Sequence, residues 1–252
     1  MGYKTYLDEQ IAADTLLEIE LMVLALAAGI NDATTYPDYR VFASNQTGNT
    51  VLLAVGALGL VDEESLDLRN VGVSLGLFIV GGALLGQLGF RFGRTRRAWL
   101  LCTNILQTIL VFLAAALRQW VATDTASHTR FAVIALLAFA SGAQVAMART
   151  VNVPEITTAM VTSAYIDFLV DPKLLLRNNR PRNRRLFFVL ALLTGSFAGA
   201  VAYKKVGAAF SLLLAGICKT GLCIMLLYNC AETGDAEERG AREAVPQAAN
   251  RS

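Results

Sequence analysis

The chain has 252 residues, 55% of them hydrophobic, with a formal net charge of +2 and a mean hydropathy of +0.49. That is too apolar for an ordinary soluble domain, and so small a net charge gives no reason to propose nucleic acid as a partner. Apolar runs long enough to cross about 30 Å of hydrocarbon recur throughout, so the sequence reads as an all-α integral membrane protein in contact with lipid.

Residues 1–16 place Asp8, Glu9 and Asp14 where a secretory signal needs basic residues, so they read as a short solvated tail. A membrane domain follows over 17–230. Its first span, Leu17–Tyr36, is interrupted near its end by Asn31 and Asp32. Next comes F-A-S-N-Q-T-G-N-T at Phe42–Thr50, in which Ser44–Thr50 are amides and hydroxyls broken only by Gly48. Such a run is costly in hydrocarbon unless it is buried in protein or lines a cavity. The helix after it, Asn49–Val61, rises only about 20 Å and is too short to span comfortably. Spans at Val71–Phe92 and Ala98–Leu117 complete a first half over about 17–118.

The loop Gln119–Arg130 holds the single histidine, His128, with no acid or cysteine beside it, and it reads as a surface residue. A second half over about 131–230 repeats the order. It has a span at Phe131–Ala148, a polar break V-N-V-P-E-I-T-T at Val151–Thr158, a short helix Thr157–Val170, and spans at Leu186–Tyr203 and Val206–Tyr228. Residues 231–252 are rich in Glu, Arg and Ala and read as a disordered tail. Cys102, Cys218, Cys223 and Cys230 lie in or at the ends of apolar runs without paired spacing. They read as buried, inert thiols.

The halves match at one offset. Gly29 recurs as Gly142, and the G-x-x-x-G pair Gly82/Gly86 recurs as Gly195/Gly199. Glycine pairs of this kind mark close helix packing in membranes, and the faces bearing them are expected to make the close contact between the halves. Charge then selects a topology. Leaving out Lys219, two re-entrant short helices place fifteen basic residues on one side and six on the other. If both short helices cross, the split is thirteen and eight. The steeper bias predicts six spans, two re-entrant half-helices, cytoplasmic termini and halves of inverted topology.

Paired interruptions at corresponding places in two halves point to a transporter's binding site near the bilayer midplane. The substrate-binding candidates from the first break are Asn31, Asp32, Asn45, Gln46, Thr47, Gly48, Asn49 and Thr50. Gln144, Thr157, Thr158 and Thr162 come from the second. A half-helix starting near Gly48 offers unpaired N–H groups and a partial positive charge to a ligand; the alternative is plain capping by Thr47 and Asn49. Asp32 is an ionisable group inside a span, rare and usually functional, and is expected to carry a proton or pair with a coupling cation. Pro154 suits the first turn of the second short helix. Glu155 beside it would compete with an anion and favours a neutral, zwitterionic or cationic solute, with Arg149 as its ion-pair partner. Asn104 and Gln107, one turn apart, read as interhelical hydrogen-bonding groups.

The chain resembles the YoaK-like family of multi-pass membrane proteins. The likeness rests on G-I-N-D-A at Gly29–Ala33, F-A-S-N-Q-T-G-N-T at Phe42–Thr50, and I-T-T-A-M-V-T at Ile156–Thr162 after Gly142-x-Gln144. Val145 and Ser163 stand where the family commonly has Asn and Gly. The resemblance implies membrane residence and a shared fold but no substrate or reaction. The sequence therefore reads as a small-solute secondary transporter, with the proton as a candidate coupling ion. A membrane scaffold or receptor-like protein is the first alternative and an intramembrane enzyme the second. No Ser-His-Asp set, H-E-x-x-H or P-loop occurs, so no catalytic residue, metal or cofactor is assigned.

Overall fold

The computed structural model describes residues 3–61, 66–121 and 127–231. The C-terminal tail beyond residue 231 and part of the His128 loop lie outside them. Within the described residues the fold is all helix, apart from two isolated bridges that pair Gln10 with Arg96 and Ile11 with Ala231.

The long apolar runs become α4 (Leu68–Phe92), α5 (Arg97–Trp120), α6 (Ser127–Thr150), α8 (Arg180–Lys205) and α9 (Ala208–Met225). These five are long and apolar enough to cross a membrane, so the chain is a multi-pass membrane protein. A sixth long helix, α2 (Thr15–Tyr39), carries Glu18, Glu20, Asp32 and Asp38. It starts where the Asp14 carboxylate accepts the Leu17 N–H at 2.9 Å, and it ends at Arg40 in a left-handed cap with φ 57°.

α2 lies along α8 and α4 along α6; α5 packs on both α6 and α9, and α9 also packs on α2. The glycines explain how closely the first two pairs approach. A Cβ on Gly195 would sit 2.0 Å from the Leu26 carbonyl oxygen, and one on Gly29 would sit 2.4 Å from that of Leu192. In the other pair, a Cβ on Gly142 would lie 2.1 Å from the Phe78 carbonyl oxygen, and one on Gly81 2.3 Å from that of Phe139. The two glycine-rich helices thus each pack against the first helix of the opposite half and not against each other. In α4 the tight contact runs through Gly81, while a Cβ on Gly86 would stand at an ordinary 3.5 Å from that of Ala146.

Ion pairs fix which helix ends lie together. Glu18 at the start of α2 meets Arg184 of α8 at 2.7 Å and also bonds Arg180. At the other end Asp38 of α2 meets Arg118 of α5 at 2.7 Å and bonds Tyr203 of α8. Hence α2 and α8 run in the same direction. Asp67, before α4, pairs with Arg130 at the start of α6 at 2.9 Å, so α4 and α6 start at one end. Arg69 at 3.1 Å, with Arg130 behind it, holds the Asp67 carboxyl below the usual carboxylate range. Asn70 donates to the Tyr39 carbonyl at 3.2 Å, so the chain leaves α2 and enters α4 at the same end.

Two short helices occupy these same-side returns: α3 (Gln46–Ala57) against α4 and α7 (Val161–Leu169) against α8. The second starts later than Pro154 suggests. Pro154 and Glu155 lie in a turn, and Glu155 pairs with Arg184 at 3.2 Å and not with Arg149.

Residues 3–16 are not a free tail. α1 (Tyr3–Asp8) leads to a buried Ile11, and Tyr6 stacks under the Arg97 guanidinium at 4.1 Å. Arg97, 1% exposed, is held by Glu9 at 3.1 Å and by the Asn229 carbonyl at 2.7 Å. The cysteines also differ from expectation. Cys102 and Cys230 are exposed, and Cys218 and Cys223 are half-buried; all are free. Cys102 falls on an outward face of α5, where an apolar thiol can contact lipid.

Candidate functional site

The first break folds as a hairpin whose tip is fixed by three polar residues. After Arg40 the chain turns back along α2 until Ser44 donates its N–H and its hydroxyl to the two Asp32 oxygens, each at 2.7 Å. Asp32 lies seven residues before the end of α2, so the tip sits about 10 Å inside the bundle at 1.5 Å per residue. Asn49 fastens the descending arm, accepting the Phe42 N–H at 2.9 Å and donating to the Phe42 carbonyl at 2.8 Å. Ser74 of α4 donates to the same carbonyl at 2.7 Å. Asn45 caps α3 by accepting the Gly48 N–H at 3.2 Å. The cap is therefore Asn45, one turn earlier than Asn49, and Thr47 is left free.

The second break is built differently. Asn152 and Thr158 have left-handed φ of 60° and 61°, uncommon for any residue with a Cβ and an outlier for a β-branched one. Strain of this kind concentrates at functional sites. Thr157 closes the turn, its hydroxyl donating to the Met160 carbonyl at 2.7 Å. Met160 gives α7 no side-chain cap, so its own side chain leaves the N–H groups of the first turn unsatisfied.

The two tips meet across a cavity of about 550 Å³. Asp32, Asn45, Gln46 and Thr47 line it from the first break and Thr162 from the second, all five among the expected residues. Arg149, at the end of α6, adds a guanidinium. Phe42 and Phe78 add apolar wall, while Leu192 and Ser196 enter from α8. Its charged groups are thus one carboxylate and one guanidinium, beside amides and hydroxyls.

The other seven expected residues do not line this cavity. Gly48 lets α3 pass the Phe42 ring, which a Cβ would approach to 2.9 Å. Asn49 is fully buried in the clasp described above. Thr50 is exposed, and its hydroxyl donates to the Gln46 carbonyl at 2.8 Å. Asn31 and Thr158 are buried, each with a side-chain oxygen that has no partner among the described residues. Thr157 holds its turn. Gln144 is buried among helices and donates to the Leu24 carbonyl at 3.1 Å.

The sequence did not single out Ser44, Phe78, Arg149, Leu192 or Ser196 as site residues. Ser44 stands inside the first motif and could have been included. The others reach the cavity from distant elements and leave no local pattern. Lys219 is a further functional candidate, since a lysine inside the apolar run 206–228 is a clear signal. It is 1% exposed and donates to Gln107 and Gln144. Gln107 thus joins helices as expected, and so does Asn104, which bonds the Leu100 carbonyl of its own helix and the Met147 sulfur of α6.

The family model described as "Protein of unknown function (DUF1275)" matches residues 21–225. That match spans both breaks and every residue of the cavity. No curated protein matches the chain, and no solved structure does.

Proposed function

The chain belongs to this family of proteins of unknown function, and from that premise we propose a small-solute secondary transporter whose solute sits between the tips of α3 and α7. One observation carries the reading: two interrupted segments, one from each half of an apolar bundle, converge on a single cavity to which both bring polar side chains. Broken helices at the midplane are how many transporters place polar backbone and side chains in hydrocarbon.

In this reading α2, α4, α5, α6, α8 and α9 are six spans and α3 and α7 are re-entrant. The basic end of the bundle is cytoplasmic, with both termini there, and the two halves are inverted copies within the membrane domain 17–230. The closer likeness to YoaK-like proteins belongs to the same reading. Alternation consists of one half rocking against the other about the glycine contacts of α2 with α8 and α4 with α6. Asp32 and Arg149 give the cavity balanced charge, which suits a neutral or zwitterionic solute. Asp32 is the carboxyl that a proton or a coupling cation neutralises. The role needs no catalytic residue, cofactor or metal.

Uptake into proteoliposomes tests it directly. Sugars, amino acids, amines and carboxylates would be offered as tracers with and without a pH gradient. At least one class should enter faster than into empty liposomes, and Gln46→Ala or Thr47→Ala should slow it. Losing one hydrogen bond to a neutral group costs about 0.5–1.5 kcal/mol, up to about tenfold in affinity. If no class moves, a non-transporting scaffold becomes the better reading.

A further inference from the structure

Lys219 lies in the middle of α9 and takes no part in the cavity. Its Nζ donates to the Gln107 side-chain oxygen on α5 at 2.9 Å and to the Gln144 side-chain oxygen on α6 at 2.7 Å. Gln144 in turn holds the Leu24 carbonyl of α2. One amine thus links α9 to α5, α6 and, through Gln144, α2.

The surroundings contain no counter-ion among the described residues. α5 presents Asn104, Gln107 and Thr108, α6 presents Gln144, and α2 presents a carbonyl. The buried carboxylate of α2, Glu20, is turned to Asn229 at 2.9 Å, and Asp32 is taken by Ser44. α8 meets α9 through Ser211 and the Gly199 carbonyl at 3.1 Å. On α9 itself the neighbours that titrate are the thiols Cys218 and Cys223. Helix packing alone does not call for this arrangement. An apolar side chain of the same size would fill the space without desolvating a charge, a cost of several kcal/mol per ion.

A second observation concerns Gln107. Its amide oxygen faces Lys219, but its amide nitrogen is buried with no partner among the described residues. Such an orphan donor is uncommon and calls for a reason. A neutral amine has a lone pair that an ammonium lacks. A turned Gln107 amide could donate its N–H to that lone pair, so the amide has a partner for either charge state of the amine.

We propose that Lys219 is a proton-binding site, separate from the cavity, whose occupancy sets how tightly α9 is held to α5 and α6. With the proton bound, Nζ makes two charge-assisted bonds to amide oxygens, the stronger kind. With the proton released, only neutral bonds remain and Gln107 turns to serve the lone pair. The change is one proton on or off Nζ and nothing else. It stands apart from the transport reading, because its readout is protonation and needs no solute.

The test compares wild type, Lys219→Met and Lys219→Arg in lipid nanodiscs by melting temperature across about pH 5 to 10, bracketing ordinary histidine and most of the lysine range. Wild type should gain melting temperature as pH rises through this range, because releasing the proton relieves the cost of a buried charge without a counter-ion. Both variants should lack that rise, since methionine binds no proton and arginine keeps its own throughout. At its steepest, a one-proton step changes the folding equilibrium tenfold per pH unit. Superimposable profiles for wild type and Lys219→Arg would overturn the proposal. Should neither variant fold, carbon-13 resonances of labelled lysine in wild type decide. A buried lysine signal that shifts within that range supports the site, and one that stays constant sinks it.

Discussion

Ser44 grips Asp32 with two donors, its backbone N–H and its hydroxyl, both at 2.7 Å. This contact sets the depth of the first hairpin, because it fastens the tip to α2 well inside the bundle. It also shows why a carboxylate is tolerated there: each oxygen has a donor. Asp32 therefore has two duties, holding the tip and facing the cavity.

Replacing the two partners separates those duties. Ser44→Ala removes the hydroxyl bond and leaves the backbone one. Hydrogen bonds to a charged group are worth about 1.5–3 kcal/mol, so its melting temperature in detergent should fall clearly. Asp32→Asn keeps an acceptor and the shape and should fold. It should lose accumulation driven by a pH gradient while keeping solute exchange. Normal accumulation by Asp32→Asn would remove the coupling role.

The glycine contacts give a ranked stability test. Gly142→Leu and Gly195→Leu push side chains into carbonyls that a Cβ alone would already meet at 2.1 and 2.0 Å. Overpacking of a tight interface typically costs about 1–3 kcal/mol, occasionally more. Gly86→Leu, with ordinary space around it, should cost less. Equal melting temperatures for all three would contradict the packing described.

Much of this architecture is legible in the sequence, and the rest fails for identifiable reasons. The long helices appear as apolar runs because hydrocarbon thickness fixes their length. Asn45 was legible as polar but not as the cap, since several neighbouring side chains can serve. α7 starts later than Pro154 suggests because the local preference of proline for a first turn gives way to the pull of Glu155 across the bundle to Arg184. Arg149, Phe78 and Ser196 reach the cavity only through tertiary packing. Lys219 is conspicuous in its helix, but its partners Gln107 and Gln144 lie 112 and 75 residues away.

Asp67 predicts a pH effect outside the membrane. Its carboxyl is held below the ordinary range by Arg69, with Arg130 adding to it. A depressed carboxylate contributes stability that is fully present above its unfolded pKa of about 3.9 and lost as pH falls through the folded value. Wild type should therefore lose stability on acidification below about pH 4 more steeply than Asp67→Asn. Melting curves with parallel slopes would show that the pair contributes nothing.

Topology is open to thiol labelling in a background with the four native cysteines replaced. Cysteines at Arg94 and Asn183 should react with an impermeant reagent only from the cytoplasmic side, and one at Asp67 only from the opposite side. Opposite labelling of Arg94 and Asn183 would mean that the short helices cross the membrane.

Accessibility of the cavity from both sides bears most directly on the transport reading. In the same background, cysteines at Thr47 and Thr162 would be exposed to an impermeant thiol reagent added to one side of the membrane at a time. A transporter that alternates about this cavity predicts that each thiol reacts from either side, and that a transported solute slows both reactions. If each thiol is reached from one side alone, or from neither, the cavity does not alternate and the transport account fails.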